Sequence, residues 1–278
     1  MSLGIAFKGA EGLVLAADSR VTLSGQQQRG GQTVLIPASF DNATKLLLFS
    51  EPHDYVAAVT YGLGALGQTQ PRTAQSFMTE FHTHLESQHG DTRQKVATYA
   101  NALGEFFMQQ WTGSNMPPAE DWQGPGMTFL VAGFDEEDVY GEVYELTVPN
   151  DLTPKQWYEK DGEFGIVFGG QNQIAQRLLN GFEDGLIREI ANHIDLTDEQ
   201  TQNLRDALRD KFSSGIPYQF LPLQDCVDLA ITLIRTTTSL QQWMIDVRGV
   251  GGPIDVATIT RTKGVQPIQF KSIHGEST

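Results

Sequence analysis

Basic residues are scarce in this chain. Nineteen lysines and arginines stand against 34 aspartates and glutamates, a formal net charge of −15. No run of basic residues could track a phosphate backbone, so nucleic acid is not an expected partner. Long apolar runs are missing too: none approaches the roughly 18 residues of a membrane span, and the amino terminus lacks the basic-then-apolar pattern of a secretory signal. No membrane partner is expected. Cysteine occurs once, at Cys226, which excludes an internal disulfide and fits a reducing compartment, with the cytoplasm as the expected location. Cys226 shares a helical apolar pattern with Leu229, Ala230, Leu233 and Ile234, and a packing role follows. Metal-ligand spacing is absent as well. His82 and His84 are two apart and would diverge on a helix, while His53, His89, His193 and His274 are scattered and expected to face solvent. No metal or other cofactor is expected.

What is present is ordinary globular composition, 40% hydrophobic and 19% charged over 278 residues, with ample length for a core. The opening residues read as a strand from Met1 to Phe7, a turn over Lys8-Gly9-Ala10-Glu11-Gly12, and a strand over Leu13 to Ala17 that ends in Asp18-Ser19-Arg20. Val21 to Pro37 is polar and contains glycine, the mark of a surface loop or a long hairpin tip. Thr44–Phe49 and Tyr55–Thr60 read as two antiparallel strands buried on both faces. From Pro71 the period becomes helical: Ala74, Phe77, Met78, Phe81 and Leu85, then Val96, Tyr99, Leu103, Phe106, Phe107 and Trp111. Strands follow at Met127–Gly133 and Gly141–Leu146, around an acidic turn, Asp135 to Asp138, expected to be solvated. A short strand at Phe164–Phe168 leads to Gly169-Gly170. Ile174, Leu178, Leu179, Phe182, Leu186 and Ile190 then mark one helix, and Asp195–Phe212 reads as another with Leu204, Ala207 and Leu208 inward. After the Cys226 helix come strands at Ile254–Thr260 and Val265–Phe270.

Strands grouped at hairpin spacing and helices grouped between them do not make a doubly wound parallel sheet. They fit an α+β fold, two mostly antiparallel sheets with a helical layer on each outer side. No internal repeat or long linker divides it, and the expectation is a single domain over residues 1–278.

Ser2 is chemically conspicuous. Loss of Met1 would leave a serine that carries both a hydroxyl and a free α-amine, so nucleophile and base would sit on one residue. That amine titrates at about 7.7–8.0, close enough to neutral to accept the hydroxyl proton.

Ser2-Leu3-Gly4-Ile5, the run Gly12-Leu13-Val14-Leu15-Ala16-Ala17-Asp18-Ser19-Arg20, and Gly251-Gly252-Pro253-Ile254-Asp255-Val256 together resemble a proteasome β-type subunit. The likeness is to the bacterial branch that includes Anbu and HslV, and it covers nearly the whole chain in order. It implies the four-layer αββα sandwich of the N-terminal nucleophile hydrolases. In that family the nucleophile lies sixteen residues before the acidic residue of the second strand, and Ser2 and Asp18 keep the spacing, with serine where threonine is usual. The resemblance further implies that Lys45 lowers the amine pKa and is held by Asp18, that Gly62 donates a backbone N–H to the oxyanion, and that Arg20 flanks the site. Asp246 stands in for a later family aspartate. Gly170, and Gly249 or Val250, fall where the family carries serines. The extra helix around residues 195–216 is read as an insertion for subunit contacts. Activation by removal of Met1, a peptide or amide substrate, and a homo-oligomer of rings or stacks follow from the same resemblance. A catalytically silent assembly subunit is the alternative.

One rival motif occupies the same stretch. Gly62-Leu63-Gly64-Ala65-Leu66-Gly67 follows an apolar strand and satisfies a dinucleotide-binding pattern, but the strands before it sit at hairpin spacing and Pro71 follows closely.

Overall fold

The computed structural model describes residues 2–29, 32–67, 70–160, 162–245, 248–273 and 275, with the backbone alone for 24–29 and 32–37. The chain runs β1 (Leu3–Lys8), β2 (Leu13–Asp18), β3 (Val21–Arg29), β4 (Gln32–Phe40), β5 (Leu46–Leu48) and β6 (Val56–Gly62). Helices α1 (Met78–His89) and α2 (Val96–Gly113) come next, then β7 (Met127–Gly133), β8 (Glu142–Val148), β9 (Asp151–Trp157) and β10 (Gly165–Gly170). Four helices follow, α3 (Gln173–Asn180), α4 (Asp184–His193), α5 (Asp198–Phe212) and α6 (Leu223–Gln241), before β11 (Ile254–Thr260) and β12 (Gly264–Gln269).

One five-stranded sheet has the order β10-β1-β2-β11-β12 and the other β5-β6-β7-β8-β9, with β3 and β4 forming a separate hairpin. Every pairing is antiparallel. Side chains that alternate along each strand explain why the central runs are continuously apolar. In β1, Leu3, Ile5 and Phe7 face α3 and α6, while Ala6 faces the opposite sheet with Leu13, Leu15, Ala17, Val59, Leu130 and Ala132. Phe129 and Val131 of β7 turn the other way, onto α1 and α2. The layers are therefore helix, sheet, sheet, helix, the α+β sandwich expected from the sequence. Aromatic rings fill the α1–α2 side, where Phe107 and Phe129 lie 4.7 Å apart.

The edges read differently from the centre. β9 is largely exposed and contains Pro154, and β12 is largely exposed and contains Pro267. An edge strand can carry proline because one row of its N–H groups has no partner strand. This polar, proline-bearing character is why the sequence pattern did not signal β9 as a strand.

Several expectations need correction. Residues 174–190 form two helices, because Gly181 closes α3 in a left-handed conformation at φ +79°. A Cβ there would lie 2.8 Å from the Phe212 carbonyl oxygen. Buried Gln176 then starts α4: its Oε1 accepts from Asp184 N–H at 3.0 Å, and its amide donates to Asp184 Oδ2 at 2.7 Å. On α5 no residue is fully buried; Leu204 and Leu208 are half-buried and Ala207 is exposed. That helix relies on a complete capping box between Thr197 and Gln200 and on an Arg205–Asp184 contact at 3.3 Å. The acidic turn is not purely solvated, since Asp135 Oδ1 accepts from Val96 N–H at 2.7 Å and caps α2, whose own N-cap side chain makes no such bond. The Gly62–Gly67 stretch follows a strand paired antiparallel on both sides, which is not the βαβ setting a dinucleotide needs. Among the described residues no helix is long and apolar enough to cross a membrane.

His53 is also buried, not solvent-facing. Its Nδ1 lies 2.7 Å from the Tyr99 hydroxyl, which accepts from Gln94 N–H at 3.0 Å. Burial, then the neighbouring His82 and His89, lowers its pKa below the ordinary histidine value, against smaller opposing effects of Glu86 and Asp91. The unfolded chain takes up this proton near pH 6.5 and the folded chain only at lower pH. The stabilisation from the neutral ring is thus complete above about pH 6.5 and is lost as pH falls through that value toward the folded pKa. Urea unfolding at pH 5 and pH 7.5 should show a smaller pH difference for His53→Phe than for wild type.

Candidate active site

The β1–β2 hairpin places Ser2 and Asp18 side by side at one end of a sheet. Gly4 pairs with Ala17, and Leu3 N–H donates to Asp18 Oδ1 at 3.0 Å. Sixteen residues of separation is the length of that hairpin, out and back. Asp18 is buried, and its carboxylate collects three more donors: Lys45 Nζ at 2.6 Å, Gly251 N–H at 2.9 Å and Arg20 N–H at 3.1 Å. A buried carboxylate with charge-assisted bonds to a cation and to backbone amides is compensated for the loss of water.

Lys45 precedes β5 and is itself buried. Its carbonyl accepts from Thr60 N–H at 3.0 Å, which locks it to β6. Burial lowers the Lys45 pKa below the usual lysine value, with Asp18 pulling in the opposite direction through its charge and hydrogen bond.

Ser2, Lys45 and Gly62 line one cleft, together with Arg20, Val21, Ala43, Thr44, Thr60, Leu63 and Ala74. Four of the residues picked out in the sequence thus converge on it, and Asp18 lies directly behind. Gly62 ends β6 at φ +87°, where a Cβ would meet the Gly126 carbonyl oxygen at 2.2 Å, so the backbone alone already demands glycine there. The residue before it, Tyr61, reaches between the sheets to Glu145 Oε1 at 2.5 Å. Burial, with Glu145 adding to it, raises the Tyr61 pKa far above the ordinary phenol value, so it stays a neutral donor. Trp157 Nε1 donates to the other Glu145 oxygen at 2.8 Å.

Arg20 is a brace at the cleft mouth. Its guanidinium forms a two-pronged contact with Asp41, at 2.5 and 2.8 Å, and donates to the Arg248 carbonyl at 3.2 Å. The Asp41 contact raises the Arg20 pKa and lowers that of Asp41. Asp246 lies outside the described residues.

The missing serine at Gly170 has a steric cause. Gly170 adopts φ +93°, and a Cβ on it would sit 1.9 Å from the Ser2 carbonyl oxygen. That oxygen accepts from Gln171 N–H at 2.7 Å. Asp41, Gln171 and Lys271 were not legible as site residues, since none completes a motif or period, and Asp255 stood in the Gly251–Val256 segment without a role. Lys271 pairs with buried Asp255 and donates to Ser19 Oγ at 3.0 Å, beside Asp18. Among the described residues no group of three or more His, Cys, Asp or Glu could hold a metal ion.

Two substitutions test this construction. Asp18→Asn leaves the buried Lys45 ammonium unpaired and should cost about 3–5 kcal/mol in denaturant unfolding. Gly170→Ser should destabilise by about 2–4 kcal/mol through backbone strain and overlap with Ser2; wild-type stability would contradict the geometry.

No family model matches the chain, and neither does any curated protein. Among solved structures it is similar to the Anbu (Gly-1) mutant from Hyphomicrobium sp. strain MC1, at 13% sequence identity and a TM-score of 0.54, over 96% of this chain and 87% of that one. The order of layers and strands described above is accordingly the proteasome-type architecture of Anbu, shared at the level of the fold.

Proposed function

We propose that this chain is an N-terminal-nucleophile hydrolase that transfers the acyl group of a peptide or other amide to water. The observation that carries the reading is the buried Lys45–Asp18 pair at 2.6 Å, opening onto the cleft that Ser2 also lines. A lysine this buried is costly to maintain for stability alone, and a cation beside a hydroxyl nucleophile has a chemical use.

Removal of residue 1 converts the Ser2 nitrogen from an amide into an amine. Ser2 Oγ then attacks the carbonyl carbon of the substrate as its proton passes to that amine, directly or through water. The Lys45 charge favours both the neutral amine before attack and the negative oxygen that develops. Gly62 is assigned the oxyanion contact by its place on the cleft wall. The C–N bond breaks as the leaving amine takes the proton, leaving an ester on Ser2. Water, activated by the same α-amine, hydrolyses the ester and restores the hydroxyl. The apolar part of the wall, Val21, Ala43, Leu63 and Ala74, suits an uncharged substrate side chain. Arg20 adds little attraction for an acidic one, because Asp41 already engages its charge. Assembly with further copies of the chain belongs to the same reading, in keeping with the proteasome-type fold.

Intact-mass measurement should show that Met1 is absent, and its retention would end the Ser2 mechanism. A peptide epoxyketone should label Ser2, with no labelling in Ser2→Ala and a rate about 100-fold or more lower in Lys45→Met. The wild-type rate should rise with pH through the amine titration, at or below about 7.7–8.0. A processed protein that takes no label would instead be a silent assembly subunit.

A further inference from the structure

Ser2 is enclosed by a closed circuit of hydrogen bonds, and two glutamines supply the part of it that no family motif accounts for. Starting at the nucleophile, the Ser2 carbonyl accepts from Gln171 N–H at 2.7 Å. The Gln171 side chain continues the circuit, its Oε1 accepting from Gly249 N–H at 3.1 Å and from Gln241 Nε2 at 2.8 Å. Gln241, at the end of α6 and 8% exposed, accepts from Val250 N–H at 2.9 Å through its own Oε1. The next residue, Gly251, donates to Asp18 Oδ2 at 2.9 Å, and its carbonyl accepts from Ser19 N–H at 3.0 Å. Asp18 returns to the start through Leu3 N–H at 3.0 Å.

The amide orientations in this circuit are dictated, not free. A backbone N–H can only donate, so the Gln171 and Gln241 atoms facing Gly249 and Val250 must be the carbonyl oxygens. That leaves the Gln241 amide hydrogens pointing at Gln171. Gln241 is buried and Gln171 half-buried, and the amides they accept from are both buried, so a lost partner would strand the Gly249 or Val250 N–H. The circuit ties the β1–β2 hairpin to three further parts of the chain, the end of β10, the end of α6 and the segment leading into β11.

We propose that Gln171 and Gln241 are positioning residues of the active site, fixing the 249–251 segment so that Gly251 N–H reaches Asp18 while Gln171 N–H aims the backbone of Ser2. Gly170, and Gly249 or Val250, where the resemblance implies serines, supply no side-chain hydroxyl to the site, and the glutamine pair links those two segments in their stead. The pair acts through Ser2 and Asp18 and does not touch substrate. The inference rests on the hydrolase reading for its catalytic consequence, and on geometry alone for the clamp itself.

Two readouts separate the clamp from the chemistry. Hydrogen exchange of the Gly249, Val250 and Gly251 amides is measured in wild type, Gln171→Met and Gln241→Met. Their exchange should rise at least tenfold in both variants, and unchanged exchange in both would overturn the clamp whether or not the protein is active. Labelling of Ser2 by an epoxyketone is measured on the same proteins. Its limiting rate should fall about 10- to 100-fold with the half-saturating inhibitor concentration nearly unchanged, as expected for a misaimed nucleophile. Faster exchange with an unaltered limiting rate would overturn the positioning role. A wild type that takes no label overturns the hydrolase reading, and the exchange data then judge the clamp alone. Should Gln171→Met fail to fold, Gln241→Met carries both measurements, because it keeps the Gln171–Gly249 bond.

Discussion

The Asp18 carboxylate is the constraint around which the site is built. It is buried, and an unpaired charge in that position would cost more than most single interactions supply. Its compensation comes from four directions: the N–H of the next strand over, the N–H two residues on, the N–H of a segment 233 positions away, and the Lys45 ammonium. Each of these donors belongs to a different stretch of chain. Satisfying one carboxylate therefore fixes the register of β1 against β2, the entry into β5, and the approach to β11. The cleft is a product of that convergence, since its floor is made of the residues drawn together.

The hairpin and the pair Ser2–Asp18 were legible because the geometry is local and periodic: two strands and a tight turn set the distance. Lys45 was legible only through its place in a family pattern. The backbone donors were not, because an N–H carries no residue identity. Gln171 and Gln241 were silent for a related reason, as polar residues that match neither a helical nor a strand period until their partners are known. His53 misled in the opposite sense: a histidine in a Glu-Pro-His-Asp turn reads as exposed, yet the aromatic cluster around Phe49 and Tyr99 closes over it. Core elements followed from apolar period throughout, whereas caps such as Asp135 on α2 and the break at Gly181 depend on contacts distant in sequence.

The positions at which the chain differs from the proteasome-type pattern it resembles have different physical weight. At Gly170 the left-handed backbone and the Ser2 carbonyl leave no room for a side chain, so glycine there follows from how closely β10 approaches β1. Serine in place of threonine at position 2 lacks one methyl group and keeps the hydroxyl. The surrounding network holds Ser2 through its backbone carbonyl, which accepts from Gln171 N–H at 2.7 Å.

The two prolines at the sheet margins have a bearing on how the molecule meets its neighbours. β9 and β12 are the outermost strands on one side of each sheet, and Pro154 and Pro267 interrupt their rows of amide donors. β5, another outermost strand, is only three residues long. Three of the four margins of the two five-stranded sheets are thus poor templates for backbone-to-backbone growth. A ribbon of merged sheets running from one molecule into the next is disfavoured at these three margins.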